Sequence, residues 1–221
     1  MNTFFRFLFT GFIVITNSAI AEPNKQSLAV SFSTADQGSI HALLGGDGTR
    51  GVVLAHGAIF NKESWEDFTK LLVAEGFRTL SLDFRGYGKS KSGTQPDALF
   101  EDILAGVRYL HQIGVNQVSV IGASMGGGAA AEAAIQSAPG EIDKLILLSA
   151  VPVKYPEQLK GKLLFIAGRS ESLASVVKNQ YQRAPDPKKL TLIKTNAHAQ
   201  HIFKTDQAEK LNQAIIDFLV E

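Results

Sequence analysis

The chain has 221 residues, of which 22 are lysine or arginine, 21 are aspartate or glutamate, 45% are apolar and none is cysteine. That size and composition describe a globular domain that buries roughly 70% of the surface its unfolded chain exposes, and they exclude disorder. The balanced charge leaves no basic footprint for nucleic acid or an anionic membrane, and the missing cysteines exclude disulfides, thiolate metal sites and a cysteine nucleophile.

The chain opens with the pattern of a sorting signal. Residues 1–6 carry one positive charge, Arg6, and no acid. Residues 7–16 form an apolar run of about ten, within the roughly 7–15 of a signal-peptide core, and Ala19-Ile20-Ala21 supplies small residues for cleavage after Ala21. The run is shorter than the roughly 20 residues that cross a bilayer, so no stable membrane insertion is expected after cleavage. Residues 1–21 are thus predicted to be a signal peptide and residues 22–221 a single domain that is secreted or periplasmic. Losing residues 1–21 removes Arg6 alone and leaves 21 basic and 21 acidic side chains.

Two alternating stretches, 28–33 and 39–44, read as early strands with Gly38 in the turn between them. After the Gly45-Gly46-Asp47-Gly48 loop the pattern becomes a series of short, nearly continuous apolar runs at 51–55, 78–82, 117–121, 145–148, 163–167 and 190–193. Such runs suit a parallel sheet covered on both faces. Helical spacing appears between them, at Trp65, Phe68, Leu71 and Leu72, at Leu99, Ile103, Val107 and Leu110, over Ala-rich 129–135, and at Leu211, Ile215, Phe218 and Leu219. Alternating strands and helices predict an α/β fold with a mostly parallel central sheet and helices on both faces. The stretch 148–163 is the one place a lid could be inserted, and it is a short connection, so no cap domain and an open site are expected.

Gly122-Ala123-Ser124-Met125-Gly126 matches G-x-S-x-G. The five residues alone are weak evidence, but a strand precedes them and Gly127-Gly128-Ala129-Ala130-Ala131 opens a helix after them. That is the strand–turn–helix setting in which a serine hydroxyl stands clear of a sheet edge. Side chains at 122 and 126 would strike neighbouring backbone, which calls for glycine at both. No Gly-Lys-Ser/Thr and no ribose-binding acid accompanies the motif, so phosphate binding is disfavoured.

With these residues the chain resembles the α/β-hydrolase family over roughly residues 39–221. The resemblance rests on the elbow at Ser124, on Ala55-His56-Gly57-Ala58 after the third strand, and on Asp83-Phe84-Arg85-Gly86-Tyr87-Gly88-Lys89-Ser90 after the fourth. It implies a nucleophile, an acid and a base in the order Ser, acid, His. His198, in the polar loop 195–200, is the implied base, and His201 three residues on is the alternative. A free imidazole titrates near about 6.5, which suits proton transfer at neutral pH. Glu171, in Gly168-Arg169-Ser170-Glu171, fills the slot where the family commonly has Asp, with a longer side chain for the same task of orienting the imidazole. A family variant has the acid after the sixth strand, but Ser149-Ala150-Val151-Pro152 contains none. The backbone N–H groups of Met125 and Ala58 are the implied oxyanion hole. By the same resemblance His56 supports its loop, and Asp83 is a loop-bonding residue.

Trp65 shares helical spacing with Phe68 and Leu72, which favours core packing over substrate stacking. Ile59, Phe60 and Tyr87 lie on loops at the same sheet edge and are placed to line an acyl pocket. There is no His-Glu-x-x-His and no ligand cluster, so neither a metal nor an organic cofactor is implied. The resulting expectation is a carboxylesterase-like serine hydrolase acting on a small-molecule acyl substrate. Perhydrolysis, thioester hydrolysis and peptide cleavage use the same triad, because fold and triad set the nucleophile and not the acyl donor. A different class, a non-catalytic binding protein on a hydrolase scaffold, would be marked by a broken triad.

Overall fold

The computed structural model describes Met1 and residues 27–221, so the predicted signal peptide and its cleavage point lie outside the described residues. Eight strands, β1 (Leu28–Ser33), β2 (Ser39–Gly45), β3 (Arg50–Ala55), β4 (Phe77–Leu82), β5 (Gln117–Ala123), β6 (Lys144–Leu148), β7 (Lys162–Gly168) and β8 (Lys188–Ile193), form one sheet in the order β1-β2-β4-β3-β5-β6-β7-β8. The β1–β2 and β2–β4 pairs are antiparallel, and every other pair is parallel. Each short apolar run of the sequence is one of these strands. The strands read as continuous apolar runs because alternate side chains enter two separate cores. Val53 and Ala55 face a core completed by helices α2 (Leu99–Gln112), α3 (Met125–Gln136) and α4 (Ala174–Arg183). Val52 and Leu54 face a second core, filled by α1 (Glu66–Ala74) and α5 (Ala208–Val220).

Helix α4 has no counterpart among the helices predicted from sequence. It is polar on average and buries few apolar side chains, chiefly Ala174 and Val177 beside Gln180, so its face carries too few apolar residues to stand out in the sequence. Trp65 closes a 3-10 turn, Lys62–Trp65, ahead of α1, and is 1% exposed between Phe68 and Phe203, which is the core role its spacing predicts. The β6–β7 connection, residues 149–161, carries only a 3-10 turn at Pro156–Gln158 and adds no cap over the sheet edge.

The strand order reverses direction at β3, which lies between β4 and β5. In an open α/β sheet, ligands bind at such a switch point, outside the carboxyl ends of the strands. Residues leaving β3, β5, β6, β7 and β8 therefore emerge side by side along one edge.

A buried ion cluster fixes the loop after β4. The Arg85 guanidinium, 1% exposed, contacts Asp36 at 2.8 Å and Asp102 at 2.6 Å, and Asp102 also accepts the Arg85 backbone N–H at 2.8 Å. Thr34 Oγ1 and Gln95 N–H complete the shell of Asp36, and Arg85 donates to the Gln95 carbonyl. Hydrogen bonding from Arg85 holds the Asp36 carboxyl well below the usual carboxylate range. One guanidinium thus joins the β1–β2 turn, the 83–98 loop and the first turn of α2. Replacing Arg85 with Met leaves two carboxylates without their cation. We expect a loss of about 3–5 kcal/mol of stability, read as a lowered urea midpoint at unchanged m-value.

Candidate active site

Ser124 stands between β5 and α3 with φ 52° and ψ −112°, a left-handed conformation that a side-chain-bearing residue adopts only when its surroundings impose it. Close backbone approach imposes it here. A Cβ on Gly126 would lie 2.5 Å from the Ala55 carbonyl oxygen and 2.6 Å from that of His56. One on Gly122 would lie 2.7 Å from Ala130 Cβ and would also strike the Gly126 carbonyl. Both glycines are required for the steric reason the motif implies. The turn is further held by Ser124 N–H on the Leu148 carbonyl, at 2.9 Å, and by Val151 N–H on the Ser124 carbonyl, at 3.2 Å.

Three predicted residues meet in one hydrogen-bonded line. Ser124 Oγ–H donates to His198 Nε2 at 2.8 Å, and His198 Nδ1–H donates to Glu171 Oε2 at 2.5 Å. The imidazole is 34% exposed, whereas the carboxylate is 1% exposed, so Glu171 is dry and the His198 ring reaches the open edge. The second Glu171 oxygen accepts from Gly168 N–H at 2.7 Å and Ser149 Oγ–H at 2.5 Å. The longer side chain therefore fits an aspartate's slot by turning one oxygen back onto its own turn and presenting the other to the imidazole.

Ser149 is the site residue that sequence reasoning missed. The stretch 149–152, which lacks an acid, contributes a hydroxyl instead. Ser149 is fully buried at φ 47°. Its Oγ donates to Glu171 and accepts Ala199 N–H at 3.0 Å, so one hydroxyl ties the acid to the loop that carries the base. Its only sequence signal is its place directly after a strand that pairs with the nucleophile strand.

His201 packs against the Phe60 ring at 5.1 Å and bonds neither Ser124 nor Glu171. His56 is fully buried. Its Nδ1–H donates to the Gly57 carbonyl at 2.8 Å, and its Nε2 accepts Phe84 N–H at 3.3 Å. The second bond requires an unprotonated Nε2 and hence the neutral ring, and burial lowers its pKa, which favours that form. Asp83 is likewise buried and accepts the backbone N–H and ammonium of Lys62, at 2.9 and 2.6 Å.

The loop after β3 runs beside Ser124: a Cβ built on Gly57 would sit 3.5 Å from Ser124 Cβ. Among the described residues, neither the Ala58 nor the Met125 backbone N–H has an acceptor. Tyr87 O–H donates to the Ala58 carbonyl at 2.9 Å and lies 3.8 Å from Met125 Sδ, which links the two. Ile59 is 78% exposed, and Phe60 and Tyr87 are half-buried, so this apolar wall faces solvent. Among the described residues no three His, Asp or Glu side chains are grouped to hold a metal.

The family model for the alpha/beta hydrolase fold matches residues 51–180. The chain is 33% identical over 138 residues to a 2-hydroxy-6-oxononadienedioate/2-hydroxy-6-oxononatrienedioate hydrolase of Klebsiella pneumoniae, covering 58% of this chain and 46% of the relative. It is 32% identical over 106 residues to a non-heme chloroperoxidase of Kitasatospora aureofaciens, covering 47% and 38%. The matched stretches thus span about half or less of these relatives' length. Among solved structures, an esterase of Pyrococcus furiosus superposes with a TM-score of 0.77 at 21% identity, covering 88% of this chain and 90% of the esterase, a likeness of fold.

The hydroxyl of Ser149 offers a direct test of the line. Ser149→Ala removes one of two donors to a buried carboxylate oxygen, a contact typically worth about 1.5–3 kcal/mol. We expect the second-order rate of fluorophosphonate attachment to Ser124 to fall by about tenfold, with the protein still folded by circular dichroism.

Proposed function

The chain belongs to the α/β-hydrolase family, and we propose that it is a serine hydrolase cleaving carboxylic esters of small or medium acyl groups through an acyl-enzyme on Ser124. One observation carries the reading: the unbroken hydrogen-bonded line from Glu171 through His198 to Ser124 Oγ, beside two backbone N–H groups that have no acceptor among the described residues. The absence of a cap over the sheet edge favours substrates that approach from solvent without being enclosed.

In this mechanism Ser124 Oγ bonds the ester carbonyl carbon as its proton passes to His198 Nε2. The carbonyl π pair moves onto oxygen, and the Ala58 and Met125 N–H groups stabilise that oxyanion, each donor worth about 3–4 kcal/mol of barrier. The Glu171 carboxylate stabilises the imidazolium by accepting Nδ1–H. Collapse of the adduct restores the carbonyl, breaks the bond to the leaving alkoxide and hands it the proton from Nε2. Water then gives its proton to His198 and attacks the acyl carbon. The acid leaves, and Ser124 recovers its proton. Every step uses side chains and backbone N–H groups of this chain, and water.

The test is covalent labelling joined to turnover. A fluorophosphonate probe should attach to the wild type and spare Ser124→Ala, and p-nitrophenyl acetate and butyrate should be hydrolysed. Glu171→Gln should lose about 10⁴ in kcat, because a neutral amide neither holds the tautomer nor stabilises the imidazolium. Equal labelling of wild type and Ser124→Ala removes the nucleophile assignment. Parallel assays with a thioester, a peptide amide, and peroxide as acyl acceptor assign the acyl donor and acceptor.

We further propose that residues 1–21 direct export and are removed, so that the working protein begins at Glu22 in the periplasm or medium. Expression of the full chain in a Gram-negative host, followed by N-terminal sequencing of the osmotic-shock fraction, should read Glu-Pro-Asn-Lys. A start at Met1 in the cytosol or membrane fraction refutes export.

A further inference from the structure

Gln200 lies two residues after His198 and is 3% exposed, yet the mechanism above gives its side chain no task. Its Oε1 accepts the Gly57 backbone N–H at 2.8 Å, a contact between positions 143 residues apart. Its Nε2 donates to Ser64 Oγ at 2.8 Å, and Ser64 Oγ–H donates to the Asn61 carbonyl at 2.5 Å. Because the Ser64 proton is committed to Asn61, Ser64 must accept from the amide, and this settles which end of Gln200 faces Gly57.

The other side of Gly57 is held as firmly. Its carbonyl accepts from His56 Nδ1–H at 2.8 Å and from Phe60 N–H at 2.9 Å. In a trans peptide the C=O and the following N–H point in opposite directions. Pinning the Gly57 carbonyl therefore aims the Ala58 N–H the other way. Pinning the Gly57 N–H sets the preceding peptide, so both planes that meet at Gly57 Cα are fixed. Glycine is the residue with the widest φ/ψ range, and it stands where an oxyanion donor must hold its direction. We propose that Gln200 is the positioning residue of the oxyanion hole: it anchors Gly57 from the base loop, so that the donor at Ala58 and the base at His198 are held in one frame. This rests on Ser124 and His198 acting as described above.

Gln200→Met keeps length and burial but offers no oxygen to Gly57, whereas Gln200→Glu keeps the acceptor. With p-nitrophenyl acetate, Gln200→Met should lower kcat by about 10–100-fold and leave KM within about twofold, since a misdirected donor weakens the transition state more than the bound ester. Phenylboronic acid, which forms a tetrahedral adduct on the nucleophile, should bind more weakly by the same factor. Gln200→Glu should recover activity to within about threefold of wild type. Ser64→Ala, which frees the amide but keeps its oxygen, should cost about threefold, and it supplies the reading if Gln200→Met does not fold. Unchanged kcat and boronate affinity in folded Gln200→Met, beside a labelled and active wild type, overturn the positioning role alone. So does an equal loss in the Met and Glu variants. A wild type that neither labels nor turns over ester removes the hydrolase reading and this one with it.

Discussion

The parallel pairing of β3 with β5, Ala55 against Gly122, is the contact on which the site depends. It sets the first residues of two loops side by side, so the Gly57 backbone passes Ser124 with room for no more than a Cβ between them. The approach is possible only because position 126 lacks a side chain, whose Cβ would strike the Ala55 and His56 carbonyl oxygens. It holds Ser124 in a left-handed conformation that would otherwise relax. The same pairing places β3 at the point where strand order reverses, and the crevice there is where an α/β sheet has room for a ligand.

From that contact the remaining strands extend the site in register. Leu148 of β6 lies beside Ala123, Ile166 of β7 beside Leu148, and Ile193 of β8 beside Gly168. Ser124, Ser149, Glu171 and His198 thus follow one another along the edge, although up to 74 residues separate those that touch. Three side-chain-bearing residues of this edge, Ser124, Ser149 and Ala199, have positive φ. Each backbone departs from its preferred region where a hydrogen bond or a close approach demands it, the usual distribution of strain in a reactive centre.

Support for the site comes from two loops that bring no reacting atom. The Arg85 cluster fixes the 83–98 segment, which presents Phe84 N–H to His56 and Tyr87 to Ala58. The base loop sends Gln200 to Gly57 on the other side. The backbone at Gly57 and Ala58 is therefore bracketed by a buried ion cluster and a buried amide. Polar groups of this kind are costly to bury unless fully satisfied, and when satisfied they specify one arrangement.

Much of this was legible in the amino-acid order. Among the described residues, local pattern determined the eight strands, four of the five α-helices, the short lidless connection after β6 and the elbow at Ser124, because side-chain periodicity and glycine placement are properties of neighbouring residues. The resemblance to the α/β-hydrolase family implied Glu171, His198, Ala58 and Met125. The folded chain puts His198 against Ser124 and turns His201, three residues on in the 3-10 turn Ala199–Lys204, onto the Phe60 ring, because only the direction of that turn decides which imidazole reaches the serine. Only the folded chain supplied Ser149 and Gln200, whose partners lie 22 and 143 residues away and whose residue types signal nothing alone. Local propensity acts within a few residues of itself, while hydrogen-bond partnership across a sheet edge depends on strand order, which no single segment encodes.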